Sequence, residues 1–276
     1  TFLFYCDKNF LYNNLIALYN ERSVPMKRIL AYSLACLLSL SLLCTPASAA
    51  GIQNGAEQDA GTTNNYHIGY LHNYQGSSLR PNELLTRTEM AYMMYRLLDP
   101  NQLPDTLINY QPFTDIPSAL DDHCIASLSV IGLLRGYEDG SFRPDNPISR
   151  AECVILLSRL IEVPAGSSVF SDVPETHWAY SAISAGASAG WLAGYPDGTF
   201  RPDQNITRLE AVKMINTAFH RTCDVNYVQT TKGFPSFQDV SPDFWGYFDL
   251  IEACVGHNYI VADDGTEIWT FATLGA

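Results

Sequence analysis

The sequence predicts a mainly α-helical fold built from three copies of one unit, which consists of two helices and a turn. The first observation is an internal repeat of 57 residues (170 − 113), seen when the segment starting at Phe113 is aligned with the one starting at Phe170. The second is a helix-start signal, S/T-x-x-E before an apolar run, which occurs in three places. Such a unit cannot bury its apolar face alone, so we expect the units to pack on one another.

The repeat divides the chain into two complete and two partial units. Residues 113–169 and 170–236 each hold a complete unit. Residues 79–112 match only its second half, and residues 237–276 match only its first half. Half, whole, whole and half add up to three units. This count leads to the hypothesis that one unit is assembled from both ends of the chain and closes a ring.

Each complete unit begins with an apolar helix and continues into a turn. In HWAYSAISAGASAGWL, apolar residues recur at helical spacing, as at Trp178, Ile183 and Trp191. The segment GYPDGTF (194–200) then contains the Asp-Gly pair of a tight hairpin or turn, which requires a positive φ at glycine, so short turns or hairpins are expected between the helices. The Phe-Arg-Pro that follows blocks helix formation until the next start signal.

The start signals are capping boxes, in which a hydroxyl side chain caps the helix and a glutamate returns to the N–H of the cap. The second residue of each box is an arginine: Arg87, Arg150 and Arg208. A cation at that position opposes the helix dipole by about 0.3–1 kcal/mol, so its recurrence needs another explanation. One explanation is that the helix N-terminus and the guanidinium bind a carboxylate or phosphate. The other is an ion pair with an aspartate of the neighbouring unit, and the two can coexist.

A second recurring pattern, F-x-D-[IV], places aspartates at Asp115, Asp172 and Asp239. In two units it is followed by a tryptophan, Trp178 or Trp245. The aspartates either cap the helices that follow or take part in the anion site. The tryptophans either stack on a sugar or bury their rings against the helices.

Composition and motifs limit the functions. The formal net charge of −13, without a cluster of lysine and arginine, argues against nucleic acid as a partner. No H-E-x-x-H or Cys-His arrangement appears, so we do not expect an enzyme, and a wall-modifying enzyme is the less favoured alternative. The DGTFRPD loops lack the ligand alternation of EF-hand calcium loops. The six histidines show no metal-binding spacing and are interpreted as surface or turn residues, so neither metal nor cofactor is expected.

The first fifty residues are expected to lie outside the fold. Residues 26–49 have the basic start, apolar run and small-residue end of a secretory signal peptide, with cleavage after Ala49. The apolar run is shorter than the roughly 20 residues that a membrane-spanning helix needs. Residues 1–25 are interpreted as an upstream segment without function, and residues 50–78 as a leader. The remaining cysteines form two disulfides or stay buried thiols: they are Cys124, Cys153, Cys223 and Cys254.

The pattern F-x-D-V…H-W-A…G-Y-P-D-G-T-F-R-P-D…I-T-R-x-E resembles the S-layer homology (SLH) family of bacterial cell-surface anchoring modules, over most of residues 79–265. The resemblance implies a pseudo-threefold spindle of three units around a central helical bundle. It also implies grooves between units that bind an anionic, pyruvylated secondary cell-wall polysaccharide or, in some diderm bacteria, a modified peptidoglycan. We therefore expect a secreted, monomeric protein of the bacterial cell wall. The alternative is an interaction protein of the same fold that binds peptidoglycan or a protein partner.

Carried onto this chain, the resemblance assigns ligand-binding residues to three grooves. The expected sets are Arg87 with Asp115, Arg150 with Asp172 and Trp178, and Arg208 with Asp239 and Trp245. The tryptophan position of the first unit falls at about Leu120, and the last copy has VADDG in place of GYPDGTF. We therefore expect two competent grooves rather than three.

Overall fold

The structure is a computed structural model that describes residues 65–72, 77–98, 103, 111–116, 122–161, 163–167 and 170–273. The predicted upstream segment and signal peptide lie outside the described residues, as do residues 50–64 of the predicted leader and Leu120.

The described residues form seven helices and one small sheet, so the fold is mainly α-helical. In chain order the elements are β1 (Asn65–His67), α1 (Arg87–Leu97), α2 (Asp122–Val130), α3 (Arg150–Ser158), α4 (Tyr180–Ser188), α5 (Arg208–Ala218), α6 (Val225–Thr230), α7 (Tyr247–Cys254), β2 (His257–Val261) and β3 (Glu267–Ala272). None of these helices has the length and apolar character needed to cross a membrane.

The three predicted capping boxes begin α1, α3 and α5. The side chains of Thr86, Ser149 and Thr207 each accept a hydrogen bond from the backbone N–H of the glutamate three residues later. That glutamate accepts in return from the N–H of the cap, which completes the box in all three helices. The arginine that follows each cap is therefore the first residue of its helix.

The helices pack in pairs, α1 on α2, α3 on α4 and α5 on α7, around one apolar core. The apolar residue before each capping box is fully buried, at Leu85, Ile148 and Ile206. Short backbone bridges join the three boxes, and they pair Leu84 with Thr207, Thr86 with Pro147 and Ser149 with Asn205. Each capping box thus contacts the other two.

The Asp-Gly turns have the predicted backbone, with φ of 79° at Gly140 and 80° at Gly198. Asp197 accepts hydrogen bonds from both the N–H and the hydroxyl of Thr199, which closes the second turn. These bonds, led by the one from the hydroxyl, hold the pKa of Asp197 at about 2. At Gly194, a Cβ would collide with the ring of Phe170 and the carbonyl of Thr199, so this position requires glycine.

A small antiparallel sheet, in the order β1-β2-β3, goes beyond the short turns and hairpins that the sequence predicts. Strand β1 belongs to the predicted leader, and it pairs with β2 so that Tyr66 lies opposite Asn258. Strands β2 and β3 form a hairpin in the last partial unit. Strand β1 has only three residues, and its partner β2 is far away in the chain. No local sequence pattern therefore predicts this pairing.

The interpretation of all six histidines as surface or turn residues is wrong for His257 and His67. His257 is fully buried and stacks on Trp269, with ring centroids 3.8 Å apart. His67 is mostly enclosed, and this burial, followed by the nearby charge of Arg221, lowers the pKa of His67 to about 3. The two histidines are 190 residues apart (257 − 67) and meet only because β1 pairs with β2.

The four cysteines within the repeats are free thiols. Cys124 and Cys153 are buried, and Cys223 and Cys254 are partly buried. Burial raises the pKa of Cys153 and of Cys254 to about 12, so both stay protonated at neutral pH. Of the two alternatives, the structure has the buried thiols rather than the disulfides.

Candidate functional site

Each capping-box arginine binds the backbone of the turn that follows in the next unit. The Nε atom of Arg87 donates to the carbonyl of Phe142 at 2.7 Å, and its Nη2 donates to that of Arg135 at 3.1 Å. Arg150 repeats the first bond on Phe200 at 2.9 Å. Arg208 repeats it on Leu79 at 2.9 Å, which is a residue near the other end of the described chain.

The same arginines pair with glutamates of the capping boxes. Arg87 lies 3.6 Å from Glu152, and Arg150 lies 3.5 Å from Glu210. Arg208 donates from Nη1 to Glu89 at 2.8 Å. Each glutamate therefore closes its own box and also receives the arginine of another box. These pairs account for the arginines as structural residues, although the expected partners were aspartates.

Aromatic residues of the turn enclose the arginines. The guanidinium of Arg150 lies 5.0 Å from the ring centroid of Tyr195 and 4.7 Å from that of Phe200, within the range of cation–π attraction. Arg87 lies at nearly the same distances from Tyr137 and Phe142. The repeated GY-x-DG-x-F pattern thus supplies both the turn and the rings around the arginine.

The predicted aspartates bind the same turn from its other side. Asp115 accepts from the N–H groups of Phe142 and Arg143, both at 2.7 Å. Burial alone would raise the pKa of Asp115, but these two donors outweigh it and hold that pKa below its usual range. Arg87 and Asp115 therefore meet through one residue, since the arginine binds the carbonyl of Phe142 and the aspartate binds its N–H.

The other two aspartates have the same geometry. Asp172 accepts from the N–H groups of Phe200 and Arg201 at 2.8 and 2.7 Å. Asp239 accepts from those of Leu79 and Arg80 at 2.9 and 2.6 Å. We expected each arginine to meet its aspartate directly, but the two side chains bind the same short peptide segment. The aspartates bind this turn rather than cap the helices that follow.

Binding by the aspartates stabilises an unusual backbone. The second residue of each bound pair has a left-handed φ, which is 49° at Arg80, 58° at Arg143 and 58° at Arg201. Residues with a Cβ rarely adopt this conformation, so it persists where surrounding contacts enforce it. The first unit lacks the Asp-Gly turn, yet Arg80 shares the conformation with its two equivalents.

An open groove lies beside Arg87, with a volume of about 170 Å³. Its charged side chains are Arg87, Arg135, Arg159 and Glu152, and Trp178 forms an aromatic wall. The apolar residues that line it are Leu134, Phe142, Ile148, Ile155 and Leu156. Trp178 therefore lines the groove beside Arg87, whereas we expected it to act together with Arg150. Trp178 lies just before α4, which packs on α3, and Glu152, Ile155 and Leu156 of α3 line the same groove.

Both predicted tryptophans are exposed, Trp178 at 60% and Trp245 at 66%. The alternative in which they bury their rings is therefore wrong. Trp245 carries the ammonium of Lys213 over its ring, 5.2 Å from the centroid. Lys213 also binds Asp249 at 2.7 Å.

Sequence reasoning missed Arg135 and Arg159, the two exposed cations of the groove. It searched for positions shared between copies, and at the equivalent positions the second complete unit has Ala193 and Thr217. These arginines could have been found by looking for cations that are present in one copy of the repeat and absent from the other.

The fold and the groove define a helical repeat module whose units are joined through arginines and which carries an open, cationic groove beside an exposed aromatic ring. The sequence profile of the S-layer homology domain matches residues 132–153 and 169–212. The chain carries S-layer homology repeats, as predicted.

The chain is similar to proteins named for the cell surface, for cellulosome anchoring and for the outer membrane. Cell surface glycoprotein 1 of Acetivibrio thermocellus is 31% identical over 215 residues, which cover 72% of this chain and 9% of the relative. The cellulosome-anchoring protein of the same organism is 30% identical over 212 residues, which cover 73% of this chain and 45% of the relative. Outer membrane protein SlpA of Thermus thermophilus is 37% identical over 93 residues. The chain thus spans less than half the length of the first two relatives.

Proposed function

We propose that this chain is a non-catalytic anchoring module that binds an anionic, pyruvylated cell-wall polysaccharide at the bacterial cell surface. One observation carries the proposal: three arginines and an exposed tryptophan line a single groove of about 170 Å³ on a protein of net charge −13. The presence of S-layer homology repeats supports this setting, as do the names of two relatives, one a cell surface glycoprotein and the other a cellulosome-anchoring protein.

The exposed side chains of the groove are the ones we expect to touch the polymer. Arg150 and Arg208 are 4% and 3% exposed and already bind carbonyls and glutamates, so we assign them to holding the units together. Arg135 and Arg159 are exposed, and we expect both to donate to a ketal carboxylate. Arg159 also donates from Nη1 to the carbonyl of Leu133 at 2.7 Å, which orients its guanidinium at the groove. The ring of Trp178 offers an apolar face to a sugar.

A second binding position lies at Trp245 in this proposal. Its ring is exposed, and Lys213 beside it supplies a cation. Two such positions on one polymer chain strengthen binding through effective concentration. We thus still expect two binding positions, but their side chains differ from the sets expected from the sequence.

We further propose that the three units close a pseudo-threefold spindle, with residues 79–112 and 237–276 forming one unit. The bonds of Arg208 to Leu79 and Glu89, and of Asp239 to Leu79, support this closure. A monomer exported through the signal peptide at 26–49 completes the proposal.

The test is sedimentation with purified cell walls, before and after chemical removal of the pyruvyl groups. We expect the protein to bind native walls and to lose most binding to treated ones. Arg159→Ala and Trp178→Ala should each weaken binding by about tenfold, the effect of one charged hydrogen bond or one stacked ring.

Matched controls distinguish the loss of a groove contact from the general effect of removing an exposed cation or an exposed ring. Lys232→Ala removes an exposed cation, and Phe271→Ala removes an exposed aromatic ring, and neither residue lines the groove. Both should bind as the unchanged protein does. Equal binding to treated walls would instead indicate peptidoglycan or a protein as the partner, and unchanged binding by both groove variants would contradict the site.

A further inference from the structure

Four side chains with metal-binding chemistry meet where the sheet contacts α7. They come from four different elements: His67 from β1, Glu252 from α7, His257 from β2 and Glu267 from β3. One ligand atom from each lies within 4.8 Å of the others. None of the four lines the groove beside Arg87, so the groove does not explain this cluster.

The distances fit a four-coordinate ion. His67 Nδ1 lies 3.5 Å from Glu267 Oε2, and His257 Nε2 lies 3.6 Å from Oε2 of both Glu252 and Glu267. The carboxylate of Glu252 also approaches His67, with its Oε1 3.4 Å from Nδ1. Four atoms at tetrahedral corners, about 2.0–2.2 Å from a zinc ion, are separated by about 3.3–3.6 Å. The three distances between inner atoms, 3.5, 3.6 and 3.6 Å, fall in this range, and all four ligand atoms lie within 4.8 Å of one another.

The atoms that face the centre have no hydrogen-bond partner. These atoms are His67 Nδ1, Glu252 Oε2, His257 Nε2 and Glu267 Oε2. The side chains of His257, Glu252 and Glu267 are 0%, 1% and 4% exposed, so water does not replace the missing partners at the surface. Buried polar atoms that lack a hydrogen-bond partner are costly.

The outward atoms of the same side chains are held by the protein. His257 Nδ1 lies 2.9 Å from the carbonyl of Val255, to which it donates, and this leaves the lone pair on Nε2. Glu252 Oε1 accepts from Arg221 at 3.0 Å, and Glu267 Oε1 accepts from the N–H of Thr222 at 3.3 Å. Such outer contacts orient ligands in metal sites and leave the inner atoms available.

We propose that His67, Glu252, His257 and Glu267 form a structural site for one divalent transition metal ion, with Zn²⁺ as the first ion to test. Two imidazoles and two carboxylates suit a borderline cation, and the two carboxylates neutralise its charge. Four protein ligands leave no open position, so the site is structural rather than catalytic. The ion would tie β1, at the start of the described chain, to the hairpin near its end.

The test uses the protein without a polyhistidine tag, stripped with a chelator and then titrated with Zn²⁺. We expect one bound Zn²⁺ per chain by elemental mass spectrometry. The melting temperature should rise by about 5–10 °C at a hundredfold excess over the dissociation constant. His257→Gln and Glu267→Gln should abolish both effects, whereas the exposed controls His123→Gln and Glu138→Gln should retain them.

Two results would overturn the site. One is an unchanged protein that binds neither Zn²⁺ nor Co²⁺ and melts at the same temperature in chelator. The other is a cluster variant that still binds one equivalent. If the variants do not fold, the visible spectrum of the Co²⁺-loaded unchanged protein decides, because tetrahedral and octahedral Co²⁺ absorb with very different intensity. The metal-free protein should also be sedimented with cell walls, so that failure of the metal site and failure of the proposed wall binding can be told apart.

Discussion

At the scale of single residues, the arginine that opens each helix is explained by what it binds. The helix dipole opposes it by about 0.3–1 kcal/mol. A hydrogen bond to a charged group contributes about 1.5–3 kcal/mol, and Arg150 donates to the carbonyls of Phe200 and Ala193 and pairs with Glu210. The contacts outweigh the dipole, so the choice of arginine is favourable once the units are together. The planar fork of guanidinium matters here, because an ammonium cannot reach all three partners at once.

Replacing Arg150 should therefore destabilise the fold strongly. Arg150→Met keeps much of the buried volume but leaves two carbonyls and a glutamate without their donor, and we expect a loss of about 3 kcal/mol in the free energy of unfolding. The measurement is urea unfolding followed by circular dichroism.

Arg201→Met is the matched control for this change. Arg201 lies in the same turn, but it is exposed and pairs with Asp197 at the surface. Its replacement should change stability little. Equal losses for the two variants would show that the buried contacts of Arg150 carry no special weight.

At the scale of elements, what is local in the sequence was predictable and what is distant was not. The capping boxes and Asp-Gly turns are each determined by a few neighbouring residues, and all appear where the sequence places them. Strand β1 and the histidine cluster depend on residues that meet from opposite ends of the described chain, so no spacing reveals them. The position of Trp178 beside the groove of Arg87 likewise depends on how α4 packs on α3, which is a tertiary contact.

A capping box can be tested within its own helix. Ser149→Ala removes the acceptor for the N–H of Glu152 and should lower the free energy of unfolding by about 1 kcal/mol. Ser149→Thr should be nearly neutral, because threonine fills this position in the other two boxes.

Ser171→Ala serves as a control on an exposed serine outside any box. Thermal unfolding of the three variants in parallel distinguishes loss of the cap from general loss of hydroxyl groups. A threonine variant as unstable as the alanine variant would contradict the capping role.

At the scale of the whole molecule, the three boxes are linked so that each arginine reaches the glutamate of a different box. Arg87 pairs with Glu152, and Arg150 pairs with Glu210. Arg208 returns to Glu89, which lies 119 residues earlier in the chain. Since the last pair spans the longest separation, it is the contact on which the proposed closure of the ring depends.

A double-mutant cycle measures that contact directly. Arg208→Met and Glu89→Gln each remove one partner, and we expect a coupling energy of about 1–3 kcal/mol in urea unfolding if the two side chains pair in solution. A second cycle that combines Arg208→Met with Glu138→Gln should give no coupling, because Glu138 is exposed and belongs to the turn of another unit. Additive losses in the first cycle would mean that the ends of the repeat region fold without this link. Coupling in the first cycle alone would favour one closed unit made from both ends, because loop-closure entropy opposes such a distant pair unless the intervening units hold it in place.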